Sequence, residues 1–289
     1  MTVVCRFAQA RPRLLRLAYS QLGDLGEAED VVQEAWLRLE RTDAESIDDL
    51  DAWLTTVVSR LALDALRSAR VRREAYVGPW LPEPVASSRV DDPADRVTLD
   101  ESVSYALLAL LEQLSPAERT AFVLHDVFNV AFDEVGEIVG RTPEAVRQLA
   151  SRARRRVARQ RPRFEASPDQ HDRAVRAFAQ AVAEGDLEDL VAVLDPDVVW
   201  TSDGGGRTIT SRKPLHGADR VARAWMALRR KASIDPAATP IELNGRLGLM
   251  IGGAGQDRSV ISFMVDGGRI TRIDLVRNPE KLRHVLGTA

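Results

Sequence analysis

Hydrophobic positions early in the chain recur at helical spacing. Ala28, Val31, Val32, Ala35, Trp36 and Leu39 follow i, i+3, i+4, i+7 and i+8, while Asp30, Gln33 and Glu34 fall on the other side. This pattern predicts an amphipathic helix with an acidic outer face. After the polar stretch Thr42 to Asp51, a second helix is expected from about Ala52 to Arg73. It turns Leu54, Val57, Val58, Leu61, Ala65 and Leu66 inward, and Arg60, Arg67, Arg70, Arg72 and Arg73 make its far end electropositive. From Glu74 to Asp100 the periodicity stops. Pro79, Pro82, Pro84 and Pro93 interrupt any helix there, and Asp91, Asp92 and Asp95 mark an acidic linker.

Helices are expected to resume at Glu101. Ser115-Pro116-Ala117-Glu118 has the form of a capping box with proline at the first helical position, so a helix starts at Pro116 and carries Phe122, Val123 and Leu124. Phe132 to Val139 reads as a short helix, followed by the turn Gly140-Arg141-Thr142 and a helix opened by Thr142 and Pro143. Two short helices across a tight glycine turn predict a helix-turn-helix.

Past Ser167-Pro168 a helical segment, Ala174 to Val182, leads into alternating stretches. Ile241 to Ile251, Arg258 to Val265 and Ile270 to Val276 are the clearest strands, the last two joined by the hairpin signal Asp266-Gly267-Gly268. His216 to Leu228 and Asn278 to Leu286 are expected as helices. The predicted fold class is therefore multidomain: two all-α domains followed by an α+β domain.

At 289 residues, 45% hydrophobic and 29% charged, the chain has globular composition and room for more than one core. No stretch approaches a membrane span and Met1 to Arg16 lacks an apolar signal region, so a cytoplasmic protein without a membrane partner is expected. The lone Cys5 has no disulfide partner and no companions for a zinc site, and no metal or cofactor is expected. Net charge is only −3, but it is unevenly placed. Asp24 to Asp51 carries eleven acidic residues against Arg38 and Arg41, whereas Arg141 to Arg163 holds nine arginines and the single Glu144. One surface should repel DNA and the other attract it.

A helix offering Arg147, Gln148, Ser151, Arg152 and Arg155 combines side chains that read base edges with ones that hold phosphates. An arginine run alone is more simply a solvated face, but the preceding capped helix and turn favour DNA binding. The basic helix end beside Trp53 and Tyr76 suits melted single-stranded DNA, with cations on phosphates and rings for unstacked bases, although Trp53 alone reads more readily as core. The acidic face of Asp30, Gln33 and Glu34 fits docking on a basic protein surface, and plain solubility explains it nearly as well.

These segments resemble a known family. Asp30-Val31-Val32-Gln33-Glu34-Ala35-Trp36 resembles the helix with which sigma factors grip the clamp of RNA polymerase. Trp53-Leu54-Thr55-Thr56-Val57-Val58 leading to Asp64-Ala65-Leu66-Arg67 resembles their promoter-melting helix. Leu114-Ser115-Pro116-Ala117-Glu118-Arg119 with the helix-turn-helix resembles sigma domain 4, which reads the minus-thirty-five element. Three further strings, Gly78-Pro79-Trp80-Leu81-Pro82-Glu83-Pro84, Asp203-Gly204-Gly205-Gly206 and Asn278-Pro279-Glu280-Lys281-Leu282, resemble extracytoplasmic-function sigma factors of the sigma-70 family with a fused SnoaL-like domain.

The resemblance implies sigma domain 2 over 1–75, a linker over 76–100, sigma domain 4 over 101–164 and a SnoaL-like domain over 165–289. It implies core RNA polymerase (the β′ clamp and the β flap) and promoter DNA as partners, and control of the sigma domains in cis by the fused domain. The regulatory residues it suggests are Trp80, Leu81, Pro82, Asp203, Gly204, Gly205, Gly206, Asn278, Pro279, Glu280, Lys281 and Leu282. SnoaL-like folds are cones with a pocket, so a small-molecule ligand and enzymatic chemistry enter the picture. Tyr19, Tyr76 and Tyr105 all lie outside 165–289, so a tyrosine oxyanion donor is missing. Asp203 and His216 remain as an acid–base pair but read more simply as a turn residue and a helix-start residue; no catalytic residue is expected. Two other readings stay open: a one-component regulator with a ligand-sensing domain, and a SnoaL-like enzyme fused to a DNA-binding part.

Overall fold

The computed structural model describes residues 2–43, 46–74, 76–86, 104–160, 166–208, 210–231, 238–252 and 258–286, with backbone alone at 70–74, 160, 229–231 and 286. The side chains of Arg70, Arg72 and Arg73, the acidic part of the linker around Asp91 to Asp95 and the expected helix start at Glu101 lie outside the described residues. The chain divides into two units. One holds the described residues of 1–75 and 107–160; the other holds 76–86, 104–106 and the described residues from 166 onward.

In the first unit, α1 (Val3–Leu22), α2 (Leu25–Glu40) and α3 (Leu50–Glu74) pack against one another. Asp24 caps α2 by accepting from the Glu27 amide at 2.9 Å, and Ala28, Val31, Val32, Ala35 and Leu39 are buried as the periodicity predicts. On α3 the buried stripe is Leu54, Val58, Ala62, Leu63, Leu66 and Ala69, whereas Val57, Leu61 and Ala65 are half-buried. The true stripe is turned slightly from the expected one, because α3 has helices on two sides.

The helices α4 (Tyr105–Leu111), α5 (Pro116–Phe122), α6 (Phe132–Val139) and α7 (Pro143–Gln160) follow, with a single π turn at Val123–Val127 continuing α5. The capping box is complete: the Glu118 amide donates to Ser115 Oγ at 3.4 Å and the Ser115 amide to Glu118 Oε2 at 3.1 Å. Gly140 closes α6 in the left-handed region and Thr142 caps α7, so the helix-turn-helix stands as expected. α5 and α6 pack on α7, α3 packs on α5 and α6, and the Arg60 guanidinium donates to the Glu137 carbonyl at 3.2 Å.

The second unit contains α8 (Pro168–Glu184), α9 (Leu187–Val193), β1 (Leu194–Asp203), β2 (Leu215–His216), α10 (Ala218–Lys231), β3 (Thr239–Leu243), β4 (Arg246–Ile251), β5 (Ser259–Asp266), β6 (Arg269–Val276) and α11 (Arg283–Leu286). Among the described residues the strands form one sheet in the order β2-β1-β6-β5-β4-β3, parallel only between β1 and β6. Three sequence expectations are corrected here. Ile241 to Ile251 is not one strand but a hairpin, because Asn244 and Gly245 take positive φ (48° and 72°) and reverse the chain. His216 is not at a helix start: it sits in β2 opposite Val199, and the helix begins at Ala218. Asn278 to Leu282 is a run of turns rather than a helix, because the Arg277 and Asn278 amides both donate to the Asp203 carbonyl and hold the chain against the end of β1.

Cross-strand register sorts the sheet faces. Trp200 lies opposite Ile273, and Phe263 opposite Ile273, on the face that joins Val175, Phe178 and Trp225 in the core. Phe178 meets Trp225 and Phe263 edge-on at 5.5 and 5.1 Å, and Trp200 stacks on Trp225 at 5.0 Å, so buried aromatic side chains fill this face. Each such ring contributes on the order of 2–3 kcal/mol by burial. Because successive strand residues alternate, Thr201, Asp203, Asp274 and Val276 stand on the opposite face.

Candidate nucleic-acid interface and linker clasp

The exposed face of α7 is basic because its buried stripe, Val146, Ala150, Ala153 and Val157, leaves the arginines outside. Arg147, Gln148, Arg152 and Arg155 are exposed and Ser151 is half-buried. Arg147 pairs with Glu144 at 3.5 Å and lies 5.3 Å from the Phe132 ring centre, while the Arg155 Nε donates to the Ser151 carbonyl at 3.4 Å. Arg152 Nε and Arg156 Nη1 both donate to Glu118 at 3.2 Å, and Arg154 donates to Asp126 at 2.5 Å. Burial opposes ionisation of Glu118, but the Ser115 hydrogen bonds and these two cations overcome it and hold the carboxyl below the ordinary range.

On α3, Arg60 and Arg67 are exposed, the first bound to the Glu137 carbonyl and the second paired with Asp64 at 3.0 Å. Trp53 is half-buried. On α2, Asp30 and Gln33 are exposed, and Glu34 pairs with Arg38 at 3.0 Å.

The sequence offers Tyr76 as a ring for unstacked bases; in the structure its hydroxyl is already engaged. It belongs to the second unit, where its hydroxyl donates to Asp203 Oδ1 at 2.5 Å and accepts from Asn278 Nδ2 at 2.9 Å. Burial, and then the Asp203 carboxylate, push its pKa above the usual tyrosine range. Asp203 is a turn residue as expected, its Oδ1 accepting from the Gly205 amide at 3.0 Å, but it has a second role. It is fully buried at the end of β1, where Oδ2 accepts from the Leu81 amide at 2.9 Å and from Lys281 Nζ at 2.7 Å. Lys281 Nζ also donates to the Leu81 carbonyl and lies 3.7 Å from the Trp80 ring centre. One carboxylate and one ammonium thus hold both backbone groups of Leu81.

The glycine string is shaped for this arrangement. A side chain at Gly205 would meet Asn278 atoms at 2.6 to 2.8 Å, and Gly205 itself has a positive φ of 64°, so only glycine lets Asn278 reach Tyr76. Arg207 pairs with Glu280 at 2.6 Å beyond it. Further along, the Val85 amide donates to Asn244 Oδ1 at 3.2 Å and the Asn244 amide returns a bond to the Val85 carbonyl, with Ala86 bridging to Leu243. Tyr105 donates to the Pro82 carbonyl at 2.9 Å. Leu81, Val85 and Ala86 are buried by these contacts, and Leu282 is buried in the tail; Pro279 and Glu280 stay exposed. Two tyrosines, Tyr76 and Tyr105, therefore belong to the unit that the boundary at 165 left without any.

Asp203 and His216 are not brought together as an acid–base pair. His216 lies opposite Val199, four residues along β1 from Asp203, roughly 13 Å at the usual strand rise. Asp203 also stands on the sheet face away from the aromatic core. Among the described residues no helix is long and apolar enough to cross a membrane.

Residues 7–72 match the Sigma-70 region 2 family, residues 104–157 the Sigma-70, region 4 family and residues 175–273 the SnoaL-like domain family. The chain is 41% identical to the ECF RNA polymerase sigma factor SigJ of Mycobacterium tuberculosis, over 96% of this chain and 92% of that protein. It is 37% identical to the probable ECF RNA polymerase sigma factor SigI of the same species, over 94% of this chain and 92% of that protein. The crystal structure of Mycobacterium tuberculosis SigJ superposes with a TM-score of 0.80 at 38% identity, covering 97% of this chain and 98% of that one. The chain therefore belongs to the extracytoplasmic-function RNA polymerase sigma factors of the sigma-70 family that carry a C-terminal SnoaL-like domain.

Proposed function

We propose that this chain is a dissociable sigma subunit that directs core RNA polymerase to promoters and melts them, and that its SnoaL-like domain regulates it in cis by gripping the segment Tyr76 to Ala86. Family membership supports the first part. The clasp of Leu81 by Asp203 and Lys281 carries the second: a linker that must serve polymerase is held by two buried charges of the regulatory domain.

In this reading Asp30, Gln33 and Glu34 dock on the β′ clamp, and sigma domain 4 docks on the β flap. Arg60, Arg67, Arg70, Arg72 and Arg73 track the melted strand, and Arg147, Gln148, Ser151, Arg152 and Arg155 bind the minus-thirty-five element through its base edges and phosphates. Arg60 is bound to the Glu137 carbonyl in this conformation, so that contact must break before it reaches DNA. Trp80, Leu81 and Pro82 are the gripped residues. Asp203 to Gly206 and Asn278 to Leu282 are the grip. The domain acts by binding and not by catalysis. A small molecule entering the cone would have to displace Phe178, Trp200 and Trp225, and could bias the grip that way.

The test is runoff transcription with core RNA polymerase on promoters selected from genomic DNA, using the full chain, a chain ending near Arg163 and one lacking Asn278 to Ala289. Promoter-specific transcripts that change with truncation are expected. No transcript and no polymerase binding from any version would favour a one-component regulator instead.

A further inference from the structure

The candidate reading side chains of α7 are not equivalent. Among the described residues Arg155 bonds within its own helix, whereas Arg152 is held by a carboxylate on another helix, Glu118, whose side chain is 8% exposed. That carboxylate has little freedom: its Oε2 accepts from both the Ser115 amide at 3.1 Å and the Ser115 hydroxyl at 2.9 Å, and Oε1 takes Arg152 Nε at 3.2 Å. Arg156 Nη1 completes the cluster, donating to Glu118 Oε2 at 3.2 Å and to the Gln113 carbonyl at 3.3 Å. Arg156 is thus anchored to backbone as well, as a clamp between α5 and α7. Arg152, with its side chain 49% exposed, is bound on the Nε edge and keeps its Nη groups toward the tip.

A free arginine on a surface helix samples phosphates and bases alike and loses rotamer freedom when it binds either. One fixed through Nε by a rigid, ionised carboxylate presents its remaining edge in a constant direction. That edge matches the O6 and N7 acceptors of guanine in the major groove. We propose that Glu118 is the positioning residue that sets base preference on the recognition helix, by holding Arg152 oriented to read one guanine of the promoter element. This rests on the DNA-reading role given to α7 above. The same carboxylate then joins three tasks: it completes the cap of α5, clamps α7 through Arg156 and aims Arg152.

The experiment is in vitro selection from a library randomised over the upstream promoter element, using the full chain assembled with core RNA polymerase. The variants are Glu118→Gln, Arg152→Ala, Arg156→Ala and the double variant Glu118→Gln with Arg152→Ala. Glutamine is itself a capping-box residue, so Glu118→Gln keeps the acceptor for the Ser115 amide. The wild type is expected to select guanine at one position, and Arg152→Ala to lose that preference by roughly tenfold or more. Glu118→Gln should lose most of the same preference at the same position, with other positions unchanged, and the double variant should lose no more than Arg152→Ala. Arg156→Ala should keep the preference. Wild-type selectivity in Glu118→Gln, or its uniform loss at every position, would overturn the positioning role. Absence of any selection or polymerase binding by the wild type would instead overturn the reading on which it rests.

Discussion

Lys281 Nζ lies 2.7 Å from Asp203 Oδ2, with the two side chains 7% and 0% exposed. So deep a pair is costly to form and more costly to break singly, because the survivor is left charged and unpaired in a dry site. Asp203→Asn or Lys281→Met should each destabilise the C-terminal unit by about 3–5 kcal/mol. The double variant should recover much of that loss. Thermal or denaturant unfolding of the three variants checks this; additive losses would show that the pair does not act as one.

The clasp gives the linker segment a measurable signature. The Leu81 and Val85 amides donate to Asp203 and Asn244, so both should exchange slowly with solvent deuterium. Trp80→Ala removes the ring 3.7 Å from Lys281 Nζ and should cost about 1–2 kcal/mol, with faster exchange at Leu81 than at Val85. Asn244→Ala should reverse that order. Equal exchange in both variants would mean that the two attachments are not separate.

Tyr76 adds a pH dependence whose sign follows from its partners. Its folded pKa lies above the ordinary value of 10.0, through burial first and the Asp203 carboxylate second. A raised pKa means that the stabilisation is fully present below the ordinary tyrosine pKa and is lost as pH climbs above it. The stability advantage of the wild type over Tyr76→Phe should therefore be flat to about pH 10 and then shrink. Unfolding measured between neutral pH and strongly alkaline conditions checks this, and an advantage that grows with pH would contradict the geometry.

Much of the first unit was legible in the sequence because its signals are local. The Ser115 to Glu118 box, Gly140 and the Thr142-Pro143 pair act within a few residues of themselves, and each did so in the fold. The Asn244-Gly245 reversal was also local and could have been read as a hairpin signal between alternating apolar runs. Asp203 is different. Its burial follows from β1 pairing with β6 in a register that sets it beside Lys281 and under Leu81, 78 and 122 residues away. Before three glycines such an aspartate has the local chemistry of a turn, and nothing nearby in sequence marks it as a buried anion. The Tyr76 hydrogen bonds were illegible for the same reason: its neighbours in sequence are basic, but its partners come from 127 and 202 residues further on.

On α7, Arg155 is exposed with only the Ser151 carbonyl as a partner among the described residues, the expected setting of a phosphate contact. Arg155→Ala in polymerase holoenzyme should weaken promoter binding similarly across sequences and lower the salt slope by about 1. Binding isotherms at several salt concentrations check this. A loss confined to one promoter sequence would make Arg155 a base reader instead.

The proposed control of transcription by the C-terminal domain runs through its grip on Leu81. The most direct measurement is runoff transcription from one selected promoter by core RNA polymerase with the wild-type chain and with Lys281→Met, alongside the affinity of each for core enzyme. Promoter-specific transcripts whose yield differs severalfold between the two, with the same start site, are expected. Equal yields from equally assembled holoenzymes would contradict regulation through the clasp.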